Sequence, residues 1–516
     1  MNGFICYFFL PTIVFFPLYD VLRRLFFNLP LHRDSGFYVS NHTICSQKFS
    51  YREGWNAKYG FCSKVLPEFF YSLVYLKHGR TKFKFYSRYY YSFYNYATAI
   101  AVGFCAYIVT NDAWSYALAL IIYGMISSHP FFGVYFENGE QFEVLFQAVG
   151  FGIIFLGFKQ SNLILLSSGI ALWVLESFFI KTVSLLSIFV IEVGIVYWKR
   201  SYLPAILIVD VVCFLIYLCW MHFHAQSFSS VFFRAVQHER YYQGQPLLKK
   251  VFQQFYRKLH LYLRCLWTDL PVFLIFAAAG IFLYGKTTPL LLLYLIAVSL
   301  TSFLQAALVW YYLIPLLSPL VLYASFAAIH LFSKGFAGSF AAICSLFIWF
   351  ASYFMIYSGP IEKVNWHVWI PYGRFMGNQN RTIDVISEKV KTYVKQQSLF
   401  IYGVTNQLYL LSGASYPTNL ISGGAWLDQM EPLWQMLLNR QFSENPPRFI
   451  FSSDEFFYAD ILRDDLGLDY WVVESYDNGL RLYEFKGKIG SCRESNFSCR
   501  PYATGLVMKA REQKVY

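Results

Sequence analysis

Two apolar runs that lie close together in the sequence decide the fold: VSLLSIFVIEVGIVYW at 183–198 and YLPAILIVDVVCFLIYLCWM at 202–221. A helix that crosses the hydrocarbon core of a bilayer takes about 20 predominantly apolar residues, and both runs approach or reach this length. Only Lys199, Arg200 and Ser201 separate them. The stretch therefore predicts two consecutive membrane-spanning helices joined by a short basic turn.

Similar runs fill the first two thirds of the chain on either side of this stretch. They predict spans near residues 3–22, 89–109, 113–132, 142–158, 162–180, 266–285, 289–307, 311–330 and 337–357. The segment 65–76 is apolar but only about a dozen residues long and contains Pro67 and Glu68, so we predict that it lies at the membrane interface. The predicted fold class is a polytopic α-helical membrane protein with about 11–13 transmembrane helices.

The composition agrees with a chain that faces lipid over most of its length. Of the 516 residues, 57% are hydrophobic and 14% are charged, whereas soluble domains carry about 25% charged residues. The net charge of +12 comes from short basic clusters between apolar runs rather than from one basic face. This distribution predicts the lipid bilayer and phosphate groups as partners, and no nucleic acid.

After residue 357 the composition becomes that of a water-exposed domain. Short apolar runs such as PRFIFSS and RLYEFK alternate with helical patterns such as WLDQMEPLWQMLLNR. This alternation predicts a small α/β domain over 358–516, following a membrane domain over 1–357.

The positions of basic residues predict which side of the membrane each end of a predicted span faces. Eleven crossings would place the two termini on opposite sides of the membrane, with Lys199, Arg200 and Lys334 on the cytoplasmic side, as the positive-inside rule requires. The loops 23–88 and 222–265 and the C-terminal domain would then be extracytoplasmic. A basic cluster at 80–88 counts against this assignment.

Cysteine usage is compatible with that sidedness. The ten cysteines include no CxxC pair, so neither a zinc ribbon nor a thioredoxin-like redox site is supported. Cys45 with Cys62, and Cys492 with Cys499, lie in segments predicted to be outside the cytoplasm, where disulfides persist. Spacing alone does not fix these pairings.

The first outer loop contains the candidate catalytic base. Asp34 follows the first span in the string HRDSGFY, where a carboxylate can take a proton from an acceptor hydroxyl. The alternative is an Asp that caps a helix beginning at Ser35. Lys58 and Lys64 are candidates to neutralise a phosphate. Trp55 and Tyr59 are candidates to stack on a sugar ring, although such residues are also common at membrane interfaces.

Further candidates lie beside later spans. Glu140, in FENGEQFE at 136–143, opens the fourth span and is a candidate for catalysis, metal binding or structural pairing. Lys181 either holds a carrier phosphate or reaches lipid headgroups. The remaining three, Arg234, His238 and Arg240, are spaced to present positive groups to a phosphate from one helical face.

Other ligand classes find little support in the sequence. His222 and His224 form a poor metal pair, so no metal site is predicted. The sequence contains no GxxxxGK[ST], GxGxxG or DxD string, which disfavours an ATP-driven pump and a nucleotide-sugar enzyme.

The ordered set of strings resembles the multi-pass C-type (GT-C) glycosyltransferases that use polyprenyl-phosphate sugars, in particular aminoarabinose transferases and protein O-mannosyltransferases. The strings that are similar to motifs of that family are RDSGFY at 33–38, WNAK at 55–58, EQF at 140–142, KT at 181–182, YYLIPLLSP at 311–319, IYG at 401–403 and PPRFI at 446–450. Two positions depart from the family pattern, because Tyr59-Gly60 replaces two prolines and Tyr311 stands where His is common.

The resemblance implies an inverting transferase in a membrane such as the bacterial inner membrane, with its active site outside the cytoplasm. Asp34 would act as the base, and the sugar would come from a polyprenyl phosphate and pass to a lipid, glycan or protein. The sequence requires no cofactor and leaves open whether a divalent metal ion assists. The alternatives are a flippase or transporter of lipid-linked glycans, and a polymerase or ligase with diphosphate-linked donors.

Overall fold

The computed structural model describes a helical membrane domain and a smaller mixed sheet. Described are residues 8–24, 65–128, 139–180, 182–223, 270–304, 313–335, 385–395, 397–402, 422–423, 442–453, 466–476 and 479–488, with isolated positions between them. The long helices are α1 Leu10–Arg24, α2 Val65–Thr110, α3 Ala113–Ser127, α4 Gly139–Gln160, α5 Leu163–Phe179, α6 Leu185–Trp198, α7 Leu203–Phe223, α8 Pro271–Tyr284, α9 Pro289–Leu304 and α10 Ile314–Ser333.

These helices coincide with ten of the predicted spans, which confirms the polytopic helical fold. Within the described residues, four segments are long and apolar enough to cross a membrane: Phe85–Thr110, Gln141–Gln160, Arg200–His222 and Ile314–Ser333. The other apolar helices are shorter, at 10–17 residues. The predicted span at 337–357 lies outside the described residues, apart from two isolated positions.

Short turns join α2 to α3, α4 to α5, α6 to α7 and α8 to α9 at one end of the bundle, which we call the short-turn end. Side-chain caps begin two of the helices there. Asp112 accepts a hydrogen bond from the Trp114 amide, and Asn162 accepts from the amides of Ile164 and Leu165. Each cap satisfies amides that have no partner within their own helix.

The opposite end, which we call the long-loop end, is where the longer segments of the membrane domain leave the bundle. The segments 25–64, 129–138, 224–269 and 305–312 all begin and end there. Interhelical hydrogen bonds show which helix ends lie side by side at the long-loop end. Tyr19 near the end of α1 donates to the Ser92 carbonyl of α2, and Ser187 near the start of α6 bonds Thr301 near the end of α9.

Small residues let neighbouring helices approach closely. Gly169 of α5 packs against Gly150 of α4, and a Cβ at Gly169 would lie 2.7 Å from the Gly150 carbonyl oxygen. A Cβ at Gly280 of α8 would overlap the Tyr323 carbonyl oxygen of α10. Backbone proximity of this kind supplies the van der Waals packing that holds helices together in lipid.

The segment 65–76 is the helical first arm of a hairpin within α2. Gly79 interrupts the helix with φ 68° and ψ 175°. As a result His78 stacks on Tyr86, with ring centroids 3.6 Å apart, and Tyr71 contacts Phe83. The arm therefore folds back on the start of the spanning helix. Its interfacial location stays a prediction.

The C-terminal region forms the predicted α/β unit. Strands β1 Leu399–Tyr402, β2 Ser422–Gly423, β3 Phe449–Ser453, β4 Leu468–Ser475 and β5 Leu480–Lys488 make one sheet in the order β2-β1-β3-β5-β4. Strand β1 is parallel to β2 and β3, whereas β5 is antiparallel to both of its neighbours. A helix over 385–394, α11, covers one face through Ile386, Val390 and Val394.

Candidate active site

Most of the predicted site residues lie outside the described part of the chain. These are Asp34, Trp55, Lys58, Tyr59, Lys64, Lys181, Arg234, His238 and Arg240. The backbone of Glu140 forms part of the first turn of α4, while its side chain is outside the described set. The structure does describe the helix ends that precede or follow these residues in the sequence, and those ends lie at the long-loop end.

The first turns of α4 contain a buried carboxylate that the sequence analysis did not single out. Glu143 is 1% exposed, and its Oε1 accepts hydrogen bonds from Gln147 Nε2 at 2.7 Å and from Ser184 Oγ. Gln147 and Ser184 are fully buried. An ionisable group inside a membrane helix is costly unless it is paired, and such groups are often functional.

The bond from Ser184 to Glu143 ties the turn after α5 to α4. Ser184 ends a short 3-10 helix, Thr182–Ser184, which directly follows Lys181. Ser187, three residues later, bonds Thr301 of α9. The turn after α5 and the first turn of α6 are thus attached to α4 and α9, respectively. The carboxylate could have been noticed in the sequence as an acid within an apolar run with Gln four residues later, but its partner could not.

An aromatic cluster surrounds the start of α4. Phe142 contacts Phe70 and Tyr71 of the α2 hairpin, and Tyr94 donates a hydrogen bond to the Phe142 carbonyl oxygen at 2.8 Å. Ile180, next to Lys181, belongs to the same buried cluster. The cluster therefore brings the hairpin, the start of α4 and the residues beside Lys181 together at the long-loop end.

His78 is a titratable group at the tip of the hairpin. Its Nε2 lies 3.2 Å from the Tyr90 hydroxyl. Burial lowers the pKa of His78, and the ammonium groups of Lys77 and Lys82 lower it further. The imidazole is therefore neutral at physiological pH, and Lys77 and Lys82 contribute positive charge beside it.

Two further carboxyl groups pair deeper in the bundle. Glu192 of α6 and Asp210 of α7 share a hydrogen bond, and Glu192 is 7% exposed. Glu176 of α5 is another buried carboxyl group. Within the part of the chain that the structure describes, no three His, Cys, Asp or Glu side chains cluster as metal ligands.

The helical bundle and the small C-terminal sheet together define a GT-C-like membrane fold. The solved structures that share it include two of the aminoarabinose transferase ArnT from Cupriavidus metallidurans. The structure bound to undecaprenyl phosphate matches with a TM-score of 0.58 and 11% identity, over 93% of this chain and 99% of that chain. The apo structure matches with a TM-score of 0.59 and 10% identity, over 91% and 97%.

The level of similarity limits what these matches show. At 10% and 11% identity they demonstrate a shared fold and not a shared activity. No known protein family and no curated protein matches the sequence.

Proposed function

We propose that this protein is an inverting glycosyltransferase that moves a sugar from a polyprenyl-phosphate donor to an extracytoplasmic acceptor. The observation that carries the proposal is the ArnT-like fold over 93% of the chain, because one of those ArnT structures is bound to undecaprenyl phosphate. The helix ends that flank the long segments lie at one end of the bundle, which supports it, since Asp34, Lys58, Lys64 and Arg234 belong to those segments.

In the proposed reaction Asp34 removes the proton of the acceptor as the acceptor attacks the anomeric carbon. The bond from that carbon to the carrier phosphate breaks, and the configuration inverts in this single displacement. Polyprenyl phosphate leaves as an anion, so cationic side chains that hold its oxygens lower the barrier. We assign this task to Lys58, Lys64, Lys181, Arg234, His238 and Arg240.

The other candidates have supporting roles in this proposal. Glu140 stands in the first turn of α4, at the same end of the bundle as the residues beside Lys181. It would orient the acceptor. Trp55 and Tyr59 would stack on a sugar ring, because aromatic faces suit the apolar side of a pyranose.

Basic residues at the short-turn end support a cytoplasmic location for that end, whereas the basic cluster at 80–88 at the opposite end counts against it. The basic residues of the short-turn end are Lys159, Lys199, Arg200, Lys286 and Lys334. Among the described residues at this end of the bundle, Asp112, which caps α3, carries a negative charge. An excess of Lys and Arg is typical of cytoplasmic ends of spans.

The test is a transfer assay with purified protein in lipid bilayers and a panel of polyprenyl-phosphate sugars. We expect release of free polyprenyl phosphate, and we expect Asp34→Asn to abolish it. Asp112→Asn at the short-turn end is the matched control, since Asn caps a helix about as well as Asp. Equal activity of Asp34→Asn and the unchanged protein would rule out Asp34 as the base.

Transport of a lipid-linked sugar is the second candidate function. The pairing of Glu192 with Asp210 favours it, because carboxyl groups inside membrane domains often mark ion or proton pathways. A transporter would move a fluorescent lipid-linked sugar between leaflets without releasing its phosphate carrier. The same preparation therefore distinguishes the two functions.

A further inference from the structure

The edge strand of the C-terminal sheet presents an exposed tryptophan. Trp471 lies on β4, which ends the order of the described strands, and it is 61% exposed. An aromatic side chain of this size removes about 150–250 Å² from water when it is buried, so leaving it in solvent forgoes a substantial stabilisation. Tryptophan is enriched at binding interfaces, because its ring is apolar and its N–H can still find a hydrogen-bond partner.

The ring of Trp471 is held in one orientation. Its Nε1–H donates a 2.8 Å hydrogen bond to Asp469 Oδ2. Asp469 stands two residues earlier, on the same face of the strand. Because the side chain is fixed before any ligand arrives, a ligand that stacks on it has less conformational entropy to remove.

Two carboxylates lie beside the ring, and two cations bind one of them. Trp471 pairs with Glu484 of β5, and side chains of directly paired residues lie on the same face about 4.5–5.5 Å apart at Cβ. Glu484 accepts a hydrogen bond from Arg448 at 2.6 Å and another from Lys486. Lys486 and Arg448 lower the pKa of Glu484, so it stays ionised. With Asp469, the surface carries two carboxylates and two cations.

We propose that these residues, Trp471, Asp469, Glu484, Lys486 and Arg448, form a binding site for a neutral saccharide. A sugar ring offers an apolar C–H face that matches the tryptophan ring, and hydroxyl groups around its edge that both donate and accept hydrogen bonds. The two carboxylates can accept hydrogen bonds from the sugar hydroxyls, and the two cations can donate hydrogen bonds to them. The inference stands on the C-terminal domain alone and does not depend on the transfer reaction.

Other occupants fit the surface less well. Nucleic acid or an anionic membrane would require an excess of positive charge, whereas two carboxylates beside the tryptophan balance the two cations. An added β-strand would need a regular edge. The pairing of β4 with β5 instead shifts register between Asp469 and Tyr470 and between Val472 and Glu474, and such irregularities protect edges from strand addition.

The test has two stages. Full-length protein in nanodiscs is first screened for binding to an array of neutral oligosaccharides. Calorimetry then measures its affinity for each oligosaccharide that bound, with that oligosaccharide free in solution. We expect Trp471→Ala to weaken binding about tenfold or more, and Trp471→Tyr to retain much of it because a ring remains. Trp114→Ala is the matched control, since Trp114 is 68% exposed but lies at the short-turn end. It should bind as the unchanged protein does.

Three outcomes would overturn the proposal. The first is that the unchanged protein binds no neutral oligosaccharide on the array. The second is that Trp471→Ala and Trp114→Ala bind equally well. The third is that Trp471→Ala no longer binds anionic phosphatidylserine vesicles but still binds every oligosaccharide that the unchanged protein binds, which would assign the surface to the membrane. Thermal unfolding of each variant verifies that the exposed substitutions leave the fold intact.

Discussion

At the scale of single residues, Glu143 gives the sharpest expectation about stability. Replacing it with Leu leaves Ser184 Oγ and Gln147 Nε2 buried without their acceptor. Each such loss costs about 1–3 kcal/mol. We therefore expect Glu143→Leu to lower the thermal unfolding temperature in detergent, and Glu143→Gln, which keeps an acceptor oxygen, to lower it less.

A comparison with Ser184→Ala makes this expectation specific. If the bond from Ser184 to Glu143 carries the effect, the Leu and Ala substitutions should be less than additive when combined. Full additivity, or a Leu variant as stable as the unchanged protein, would contradict the role of the hydrogen bonds.

The candidate site also shows what residue patterns can and cannot predict. The acid Glu143 is visible as a charge in an apolar run, but its partner Ser184 lies 41 positions away. No local pattern contains that pairing, because it depends on how α4 packs against the turn after α5. The roles proposed for Asp34 and for the predicted phosphate ligands rest on the sequence motifs alone, since those residues lie outside the described part of the chain.

At the scale of secondary-structure elements, the positions of the spans follow from sequence more readily than their irregularities. Lipid offers no hydrogen bonds, so a crossing segment must be helical, apolar and of nearly fixed length. The hairpin within α2 has no such constraint. Its turn depends on one residue, Gly79, and on the contacts of Tyr71 with Phe83 and of His78 with Tyr86.

Gly79 therefore provides the prediction at this scale. With φ 68° and ψ 175° it adopts a conformation that other residues reach only with strain, so we expect Gly79→Ala to cost about 1–3 kcal/mol. Because the hairpin packs on Phe142 beside Glu140, we also expect Gly79→Ala to reduce transfer activity.

Gly335 is the control for that substitution. It has φ +90°, and an added Cβ meets no atom within 4 Å at either glycine. Both Ala variants should therefore lose stability through the backbone, as thermal unfolding measures. Only Gly79→Ala should lose activity per folded molecule, because Gly335 follows α10 at the short-turn end. Equal activity losses would mean that the hairpin has no special relation to the site.

At the scale of the whole molecule, sidedness connects the fold to the proposed reaction. Helix α10 ends at the short-turn end, as the contact of Tyr284 with His330 indicates. The C-terminal sheet can share a compartment with the long-loop end only if the chain crosses the membrane once more after α10. The predicted span at 337–357 would supply that crossing, and the basic residues of the short-turn end favour the cytoplasm for that end.

Labelling of single cysteines in intact cells tests this arrangement. In a background without the ten native cysteines, we expect a membrane-impermeant thiol reagent to label Lys58→Cys in the first long loop and Lys391→Cys on α11. Lys286→Cys and Lys334→Cys at the short-turn end should react only after the cells are opened. If Lys391→Cys were protected together with Lys286→Cys, the C-terminal domain would lie on the cytoplasmic side. The saccharide site on β4 would then face a different compartment from Asp34, and a glycan bound there could not reach the proposed catalytic base.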